Sequence, residues 1–171
     1  MRFPVLLLIM SGGTCQAQDL LLYGRVRQYE ANGPLASATT LVLRNGDPIV
    51  TIQCDSAGGY KVLLDVGHSY VLEYRSPGRV SKSILLDLRT APDDDGGYGM
   101  NVDVRLFRPI DGVDVSFLEE PIGKAAYDST TNDIRWDMEY TAPRIARVDQ
   151  AYPIRYTVEP DPEDSIGGGP E

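Results

Sequence analysis

The densest group of side chains able to do chemistry in this sequence is the run Asp93, Asp94 and Asp95, which precedes Gly96 in a polar stretch. Clustered carboxylates supply the oxygen ligands that a hard cation such as calcium takes. No glutamate follows at the spacing with which an EF-hand loop closes its coordination shell. The three aspartates are therefore weak candidates for metal ligands. We interpret the stretch as a solvated loop and predict no metal site.

The sequence has few residues that could support nucleophilic catalysis. A catalytic cysteine requires a histidine base, and the chain has one histidine, His68, in a turn that enters a strand. Cys54 is the one cysteine beyond the first 18 residues, so the sequence predicts no intrachain disulfide. Cys54 follows Ile52 in a strand-like run, which is typical of a buried, inert thiol.

Paired carboxylates give no better basis for acid–base chemistry. Glu119 and Glu120 are adjacent, so they cannot both face one substrate, and Asp111 and Asp114 are best explained as surface charge. A glycine-rich phosphate loop, zinc-ligand spacing and a nucleophile elbow are all missing from the sequence. We therefore predict no catalytic residues, no cofactor and no enzymatic activity.

Aromatic side chains offer a different kind of site. Tyr23, Tyr29, Tyr98 and Trp136 could together form a platform on which sugar rings stack, because aromatic faces pack on apolar sugar faces. Tyr98 lies between glycines in what reads as a loop, so it is the most exposed candidate. The ligand-binding residues predicted from sequence are Tyr98 and Trp136, with core packing as the alternative role for these aromatic residues.

Composition limits the partners. The 171 residues include 16 basic and 25 acidic side chains, which gives a formal net charge of −9. Nucleic acid binding needs a basic footprint, and an anionic membrane surface also selects for basic residues. We therefore expect an unknown protein or glycan partner, and neither nucleic acid nor a membrane span.

The first 18 residues are typical of a secretory signal. Arg2 precedes an apolar run from Phe3 to Met10, which is too short to cross a bilayer. Small residues follow, and cleavage is expected near Ala17. The protein would then be secreted to the periplasm or to the cell surface, with lipid attachment at Cys15 as an open alternative.

Residues 20–107 show the alternation of short β-strands. Tyr60, Val62 and Leu64 are every second residue of one run, and Tyr70, Leu72 and Tyr74 are every second residue of another. In a β-strand each set lies on one face, so each run has one apolar face. Turn signals separate the runs, among them Asn45–Gly46, which favours a hairpin. We count seven strands and predict an all-β, antiparallel sandwich. The predicted strands lie at about 20–28, 40–44, 48–52, 60–64, 70–74, 80–88 and 100–107.

The rest of the chain changes in character and is predicted to form a small mixed extension over residues 109–156. Residues 110–118 suggest a short helical turn, and 122–127 and 132–136 suggest two weak strands. A helix is predicted to start at Thr141, with Pro143 in its first turn. Residues 157–171 are rich in Pro, Glu, Asp and Gly, which predicts a disordered acidic tail.

Several spaced residues carry a family resemblance. They are Gly24 and Val26, Gly33 to Leu35 with Ala38, Thr51 with Asp55 and Gly58 to Tyr60, Gly67 with Tyr70, and Pro77 with Gly78. In this pattern residues 19–108 resemble the carboxypeptidase regulatory-like domain, which implies a transthyretin-like (prealbumin-like) β-sandwich. Through Asp114 to Ile122, Ala126 to Asp128 and Asp137 to Tyr140, the segment from Leu106 to Tyr140 resembles a C-terminal extension found in uncharacterised secreted Bacteroidetes-type proteins. The histidines and the C-terminal motif of hydroxyisourate hydrolase, an enzyme of this fold class, are missing.

The sequence therefore favours a non-enzymatic, secreted β-sandwich module that acts through protein contacts in the periplasm or at the cell surface. A carbohydrate-binding module that uses exposed aromatic residues is the alternative, and a metal-dependent hydrolase is the third. A sheet edge open to strand addition would suit the first function. The sequence does not indicate which edge that is.

Overall fold

The structure is a computed structural model that describes residues 19–93 and 97–152. The predicted signal, Asp94, Asp95 and the predicted tail lie outside the described residues. The strands are β1 (Asp19–Gln28), β2 (Thr39–Arg44), β3 (Asp47–Gln53), β4 (Gly59–Asp65), β5 (Ser69–Arg75), β6 (Lys82–Asp87), β7 (Tyr98–Asn101), β8 (Val104–Leu106), β9 (Gly123–Asp128) and β10 (Asp133–Trp136). A 3-10 turn covers Ser116–Leu118, and helix α1 covers Met138–Ala151.

The strands form two sheets, as expected for an all-β sandwich. The smaller sheet has the order β4-β1-β7, with β8 paired to β1 beyond the end of β7. The larger sheet has the order β10-β9-β6-β5-β2-β3. Within the described part of the chain, no helix combines the length and apolar character needed to cross a membrane.

The strand count and the pairing directions differ from the prediction of seven antiparallel strands. Eight strands, β1 to β8, cover the region in question, because the last predicted strand divides into β7 and β8. β1 pairs in parallel with both of them, and β6 pairs in parallel with β9. Alternation of apolar residues identifies a strand but not its neighbour or its direction, so the sequence pattern could not predict the mixed sheets.

The main core lies between the two sheets and follows the predicted alternation. Tyr70, Leu72 and Tyr74 of β5 are at most 1% exposed, and Tyr60 and Leu64 of β4 are 5% and 1% exposed. These side chains pack against Leu20, Leu22 and Val26 of β1, which are all fully buried. Burial of this apolar face is the main force that holds the sheets together.

Two tyrosines bring polar groups into this core and satisfy them there. The Tyr60 hydroxyl lies 2.8 Å from the Val102 carbonyl oxygen and 2.8 Å from the Tyr74 hydroxyl. A phenol has one hydrogen, so Tyr60 donates to Val102 and Tyr74 donates to Tyr60. Gly24 makes room for this carbonyl, because a Cβ at Gly24 would lie 2.0 Å from the Val102 oxygen.

The predicted turns form for identifiable reasons. Asn45 and Gly46 join β2 to β3 with φ angles of 52° and 97°, the left-handed region that these two residue types tolerate. The Asp55 carboxylate accepts hydrogen bonds from the backbone N–H groups of Ala57 and Gly59, both at 2.8 Å. Asp55 therefore stabilises the turn that starts β4.

The extension packs on one end of the sandwich. β9 and β10 extend the large sheet beyond β6, as the two weak strands predicted there suggest. Helix α1 begins at Met138, before the predicted Thr141, because Asp137 caps it by accepting from the backbone N–H of Tyr140. Pro143 consequently lies inside the helix. A second apolar cluster joins the extension to the end of β1; it contains Tyr29, Phe107, Leu118, Val148 and Tyr152.

Candidate functional site

The outer face of the small sheet carries large apolar side chains. Leu21 is 42% exposed, Tyr23 is 45% exposed and Leu63 is 59% exposed. Leu21 lies opposite Leu63 in the β1–β4 register, and Tyr23 lies opposite Lys61. These residues are adjacent, because paired residues of neighbouring strands point to the same face. We refer to Leu21, Tyr23 and Leu63 as the outer patch.

The outer patch has a signal in the sequence. An antiparallel strand with one face in water normally alternates apolar and polar residues, whereas a strand covered on both faces is a continuous apolar run. Leu20 to Tyr23 and Val62 to Leu64 are such runs. Two paired strands thus have apolar residues on the face that the sandwich leaves uncovered.

Opposite charges flank the outer patch. At one end Asp19 pairs with Asp65 in the strand register, and at the other end Arg25 and Lys61 extend the same outward face. Desolvation raises the pKa of the Asp19 carboxyl, and the nearby negative charge of Asp65 raises it further. Asp65 is also salt-bridged to Arg44 at 3.2 Å, so Asp19 is the main acidic group at one end of a face that is apolar in the middle and basic at the other end.

A shallow groove of about 760 Å³ adjoins the basic end of the outer patch. Tyr23, Arg25 and Lys61 line it on one side, and Gln53 and Asp55 belong to its polar rim. Arg25, Arg27 and Lys61 bring three positive charges to this groove, and Asp55 and Asp103 bring two negative charges.

The two predicted ligand-binding residues are half-buried and lie on different strands. Tyr98 lies in β7 rather than in a loop, and its register with the buried Leu20 directs it inward, where its ring meets Tyr127 edge-on at 6.0 Å. Trp136 ends β10 and packs over Gly123, where an added Cβ would lie 2.9 Å from the indole. Of the other two aromatic candidates, Tyr29 is buried and Tyr23 belongs to the outer patch.

The remaining predicted candidates do not converge on a reactive centre. Asp93 is exposed, and its two neighbours in the acidic run fall outside the described residues. Among residues 19–93 and 97–152 no three metal-ligating side chains are grouped. Burial, followed by the charge of Asp55, raises the pKa of the Cys54 thiol, which disfavours the thiolate. His68 instead has Asn45 as its hydrogen-bond partner, at 3.2 Å.

One functional candidate escaped the sequence reasoning. Lys82 is 5% exposed and lies on the inward face of β6, on the same side as Ile84 and Leu86. Its ammonium group sits 4.7 Å from the centre of the Phe107 ring and 5.3 Å from that of Tyr29. The sequence does contain a signal for Lys82. Lys82 alternates in the strand with Ile84 and Leu86, so it occupies a core-facing position where an apolar residue is expected.

Lys82 belongs to the wall of a groove of about 520 Å³ between the small sheet and helix α1. We call this space the helix groove. One side is formed by β7 and β8 with the segment between them, and the other by β9, β10 and one face of α1. The apolar side chains that line it are Ile84, Val102, Val104, Ile122, Trp136, Met138, Ile145 and Val148.

Comparison with known proteins assigns no family. No protein-family model and no curated protein matches the sequence. The chain is similar in structure to 3-chlorocatechol 1,2-dioxygenase from Rhodococcus opacus, with a TM-score of 0.42 and 13% identity over 54% of this chain and 60% of that one. It is also similar to the Bacillus anthracis TIE protein, with a TM-score of 0.44 and 16% identity over 53% and 18% of the two chains.

A third similar structure is the group B streptococcus pilus 2b backbone protein, with a TM-score of 0.37 and 11% identity over 52% of this chain and 40% of that one. The match thus covers 60% or less of each of these three proteins. Overlaps this small and this divergent give no basis for assigning an activity.

Proposed function

We propose that this protein is a non-enzymatic, secreted β-sandwich module of the transthyretin-like, carboxypeptidase regulatory-like type. It acts through protein contacts in the periplasm or at the cell surface. The observation that carries the proposal is the outer patch, in which Leu21, Tyr23 and Leu63 are exposed side by side. Contiguous apolar surface of this kind marks contact sites, because leaving it in water costs free energy.

The charge pattern of the outer face suits a second copy of this chain. A two-fold axis through the outer patch stacks two such faces in opposite directions. Asp19 and Asp65 of one copy then lie over Arg25 of the other, while Leu21 and Leu63 meet Tyr23 and Lys61. An interface of this type is self-complementary, since each contact occurs twice.

The expected affinity is modest. The small sheet is narrow, and a strand of ten residues is about 33 Å long, so the contact falls at the small end of specific interfaces. We expect a dimer with a dissociation constant on the order of micromolar, because interfaces of that size are transient. Salt would weaken its charged ends while leaving the apolar centre intact.

Sedimentation velocity over a range of protein concentrations tests this proposal. The unmodified protein should shift from monomer to dimer, and Leu63→Asp should remain a monomer because it places a charge in the apolar centre. Ile49→Asp is the matched control, since Ile49 is 45% exposed but lies on β3 of the other sheet. That control should dimerise like the unmodified protein.

A charge exchange tests the orientation of the two copies. Asp19→Lys and Arg25→Asp should each weaken the dimer about tenfold, and the double variant should recover most of the loss. A protein that stays monomeric at all concentrations, or equal behaviour of the Leu63 and Ile49 variants, would overturn the proposal.

The carbohydrate-binding alternative has less support. Tyr23 is the most exposed of the four aromatic candidates, and the two predicted ligand-binding residues are half-buried on separate strands. A glycan array on the purified protein tests this alternative. Sugar binding that is lost in Tyr98→Ala and Trp136→Ala, both folded, would favour it over the protein-contact function.

A further inference from the structure

We infer that the helix groove binds an amphipathic carboxylate, a small molecule with one anionic head and a hydrocarbon body, and that Lys82 holds the head. This site is distinct from the outer patch in position and in chemistry. The inference rests on the burial of Lys82, on the absence of a salt bridge to it among residues 19–93 and 97–152, and on the apolar walls around it.

Lys82 is buried, and none of the carboxylates among the described residues forms a salt bridge with its ammonium. The backbone of Lys82 pairs with Tyr74 in the β5–β6 ladder, but over the described ranges 19–93 and 97–152 its side chain takes part in none of the ion pairs or side-chain hydrogen bonds. Its neighbours are the faces of the Tyr29 and Phe107 rings, which offset only part of the cost of removing the charge from water. A buried charge normally has a partner of opposite sign, so a carboxylate from outside the chain would complete this site.

The walls of the helix groove select the body of the ligand. Thr141, Ile145 and Val148 lie on one face of α1, at the spacing of successive helical turns, and all three line the groove. Ile145 and Met138 are 46% and 58% exposed at this surface, so apolar area stays open to a ligand. A volume of about 520 Å³ falls in the usual range of small-molecule sites.

Nearby charged groups also affect the pKa of the Lys82 ammonium. Burial lowers the pKa of Lys82 to about 8; the charge of Asp149 opposes that effect, and Arg105 adds to it. Asp149 accepts a hydrogen bond from the Tyr29 hydroxyl at 2.7 Å, and Asp103 accepts one from the backbone N–H of Arg25. Both rim carboxylates thus have partners, and a bound carboxylate would favour protonated Lys82.

Isothermal titration calorimetry with decanoate, well below its micellar concentration, tests the inference. The unmodified protein should bind about one equivalent, and Lys82→Met should bind at least about tenfold more weakly, because a charge-assisted contact is lost. Lys124→Met is the matched control, since Lys124 lies over the Tyr140 ring outside the groove. It should bind like the unmodified protein.

Two further measurements keep the inference open to refutation. Ile145→Glu adds a carboxylate at the mouth of the groove and should also weaken decanoate binding, while 1-decanol should bind the unmodified protein more weakly than decanoate does. Above pH 8 binding should be accompanied by net proton uptake, seen as a dependence of the heat on the buffer. No binding in the millimolar range, or equal binding by Lys82→Met, or equal binding of decanol and decanoate, would overturn the inference.

Discussion

Tyr60 and Lys82 each place a polar group in the interior of this protein, and the surroundings of the two groups differ. Tyr60, in the main core, has hydrogen-bond partners on both sides, the Val102 carbonyl and the Tyr74 hydroxyl. Lys82, at the edge of the second cluster, has two aromatic rings and a groove beside it. The hydrogen-bonding groups of Tyr60 are satisfied within the protein, whereas Lys82 borders a groove that a ligand could enter.

The difference shows how to separate structural polar groups from functional ones. A satisfied buried group specifies how the two sheets pack, because any other packing would leave a donor or acceptor without a partner. A buried charge beside accessible apolar space costs stability, and binding a ligand can recover that cost. Burial alone therefore does not distinguish the two roles, whereas the presence of a partner does.

The largest expected effect comes from blocking the carbonyl that Tyr60 uses. Gly24→Ala places a Cβ against the Val102 oxygen, so β1 and the segment between β7 and β8 must separate locally. We expect a loss of about 3 kcal/mol or more in the free energy of unfolding, measured by urea denaturation. Gly99→Ala is the control, because a Cβ there meets no atom within 4 Å, and it should change stability by less than about 0.5 kcal/mol.

The next effect separates the two tyrosines. Tyr60→Phe leaves both the Val102 carbonyl and the Tyr74 hydroxyl without their partner, and it should cost about 1 to 3 kcal/mol. Tyr74→Phe leaves the bond from Tyr60 to Val102 in place and should cost about 1 kcal/mol or less. Equal losses in the two variants, measured by denaturation, would contradict the hydrogen-bond directions given above.

The smallest effect has the opposite sign and concerns Lys82. Lys82→Met should raise the free energy of unfolding by about 1 kcal/mol at pH 7, since the mutation removes a buried charge whose desolvation Asp149 offsets only in part. The pKa of Lys82 is about 8 in the folded protein, below its ordinary value of 10.5. Between these two pH values the unfolded chain binds more protons than the folded protein. Lys82 therefore makes the unmodified protein more stable as the pH rises through this range.

The advantage of Lys82→Met should therefore be full below about pH 8 and should shrink as the pH rises towards 10. Denaturation of both proteins in parallel between pH 7 and pH 10 checks this, because contributions from other groups cancel in the difference. If the variant is less stable at pH 7, or if the gap between the two proteins does not narrow, Lys82 has a stabilising partner and resembles Tyr60.

Much of the fold could be predicted from local patterns. The alternation around Tyr70 and Tyr74 places the core of β5, and Asn45 with Gly46 places the β2–β3 turn, because both depend on residues close in sequence. The predicted helix start at Thr141 is wrong, because Asp137 caps the helix and its first residue is Met138. Nothing local distinguishes a parallel partner of β1 from an antiparallel one, so the mixed sheets were missed.

The candidate sites were predicted less well. Tyr98 was expected on a loop, but its pairing with β1 puts it on the inward face, which depends on a strand about 80 residues away. The apolar runs of β1 and β4 contain the outer patch, although only their pairing brings Leu21 beside Leu63. The alternation in β6 predicts that Lys82 faces the core. The groove beside it exists only because α1 packs against the sandwich at this point.

What the sequence by itself determined is the kind of protein this is: strand-rich, acidic, with apolar faces repeated at a period of two and few residues suited to catalysis. Those properties depend on residue types and on spacing along the chain. Tertiary structure alone decided which strands are neighbours, which apolar face stays in water and which charge is buried without a salt bridge among the described residues. These depend on contacts between residues distant in sequence, which no local pattern records.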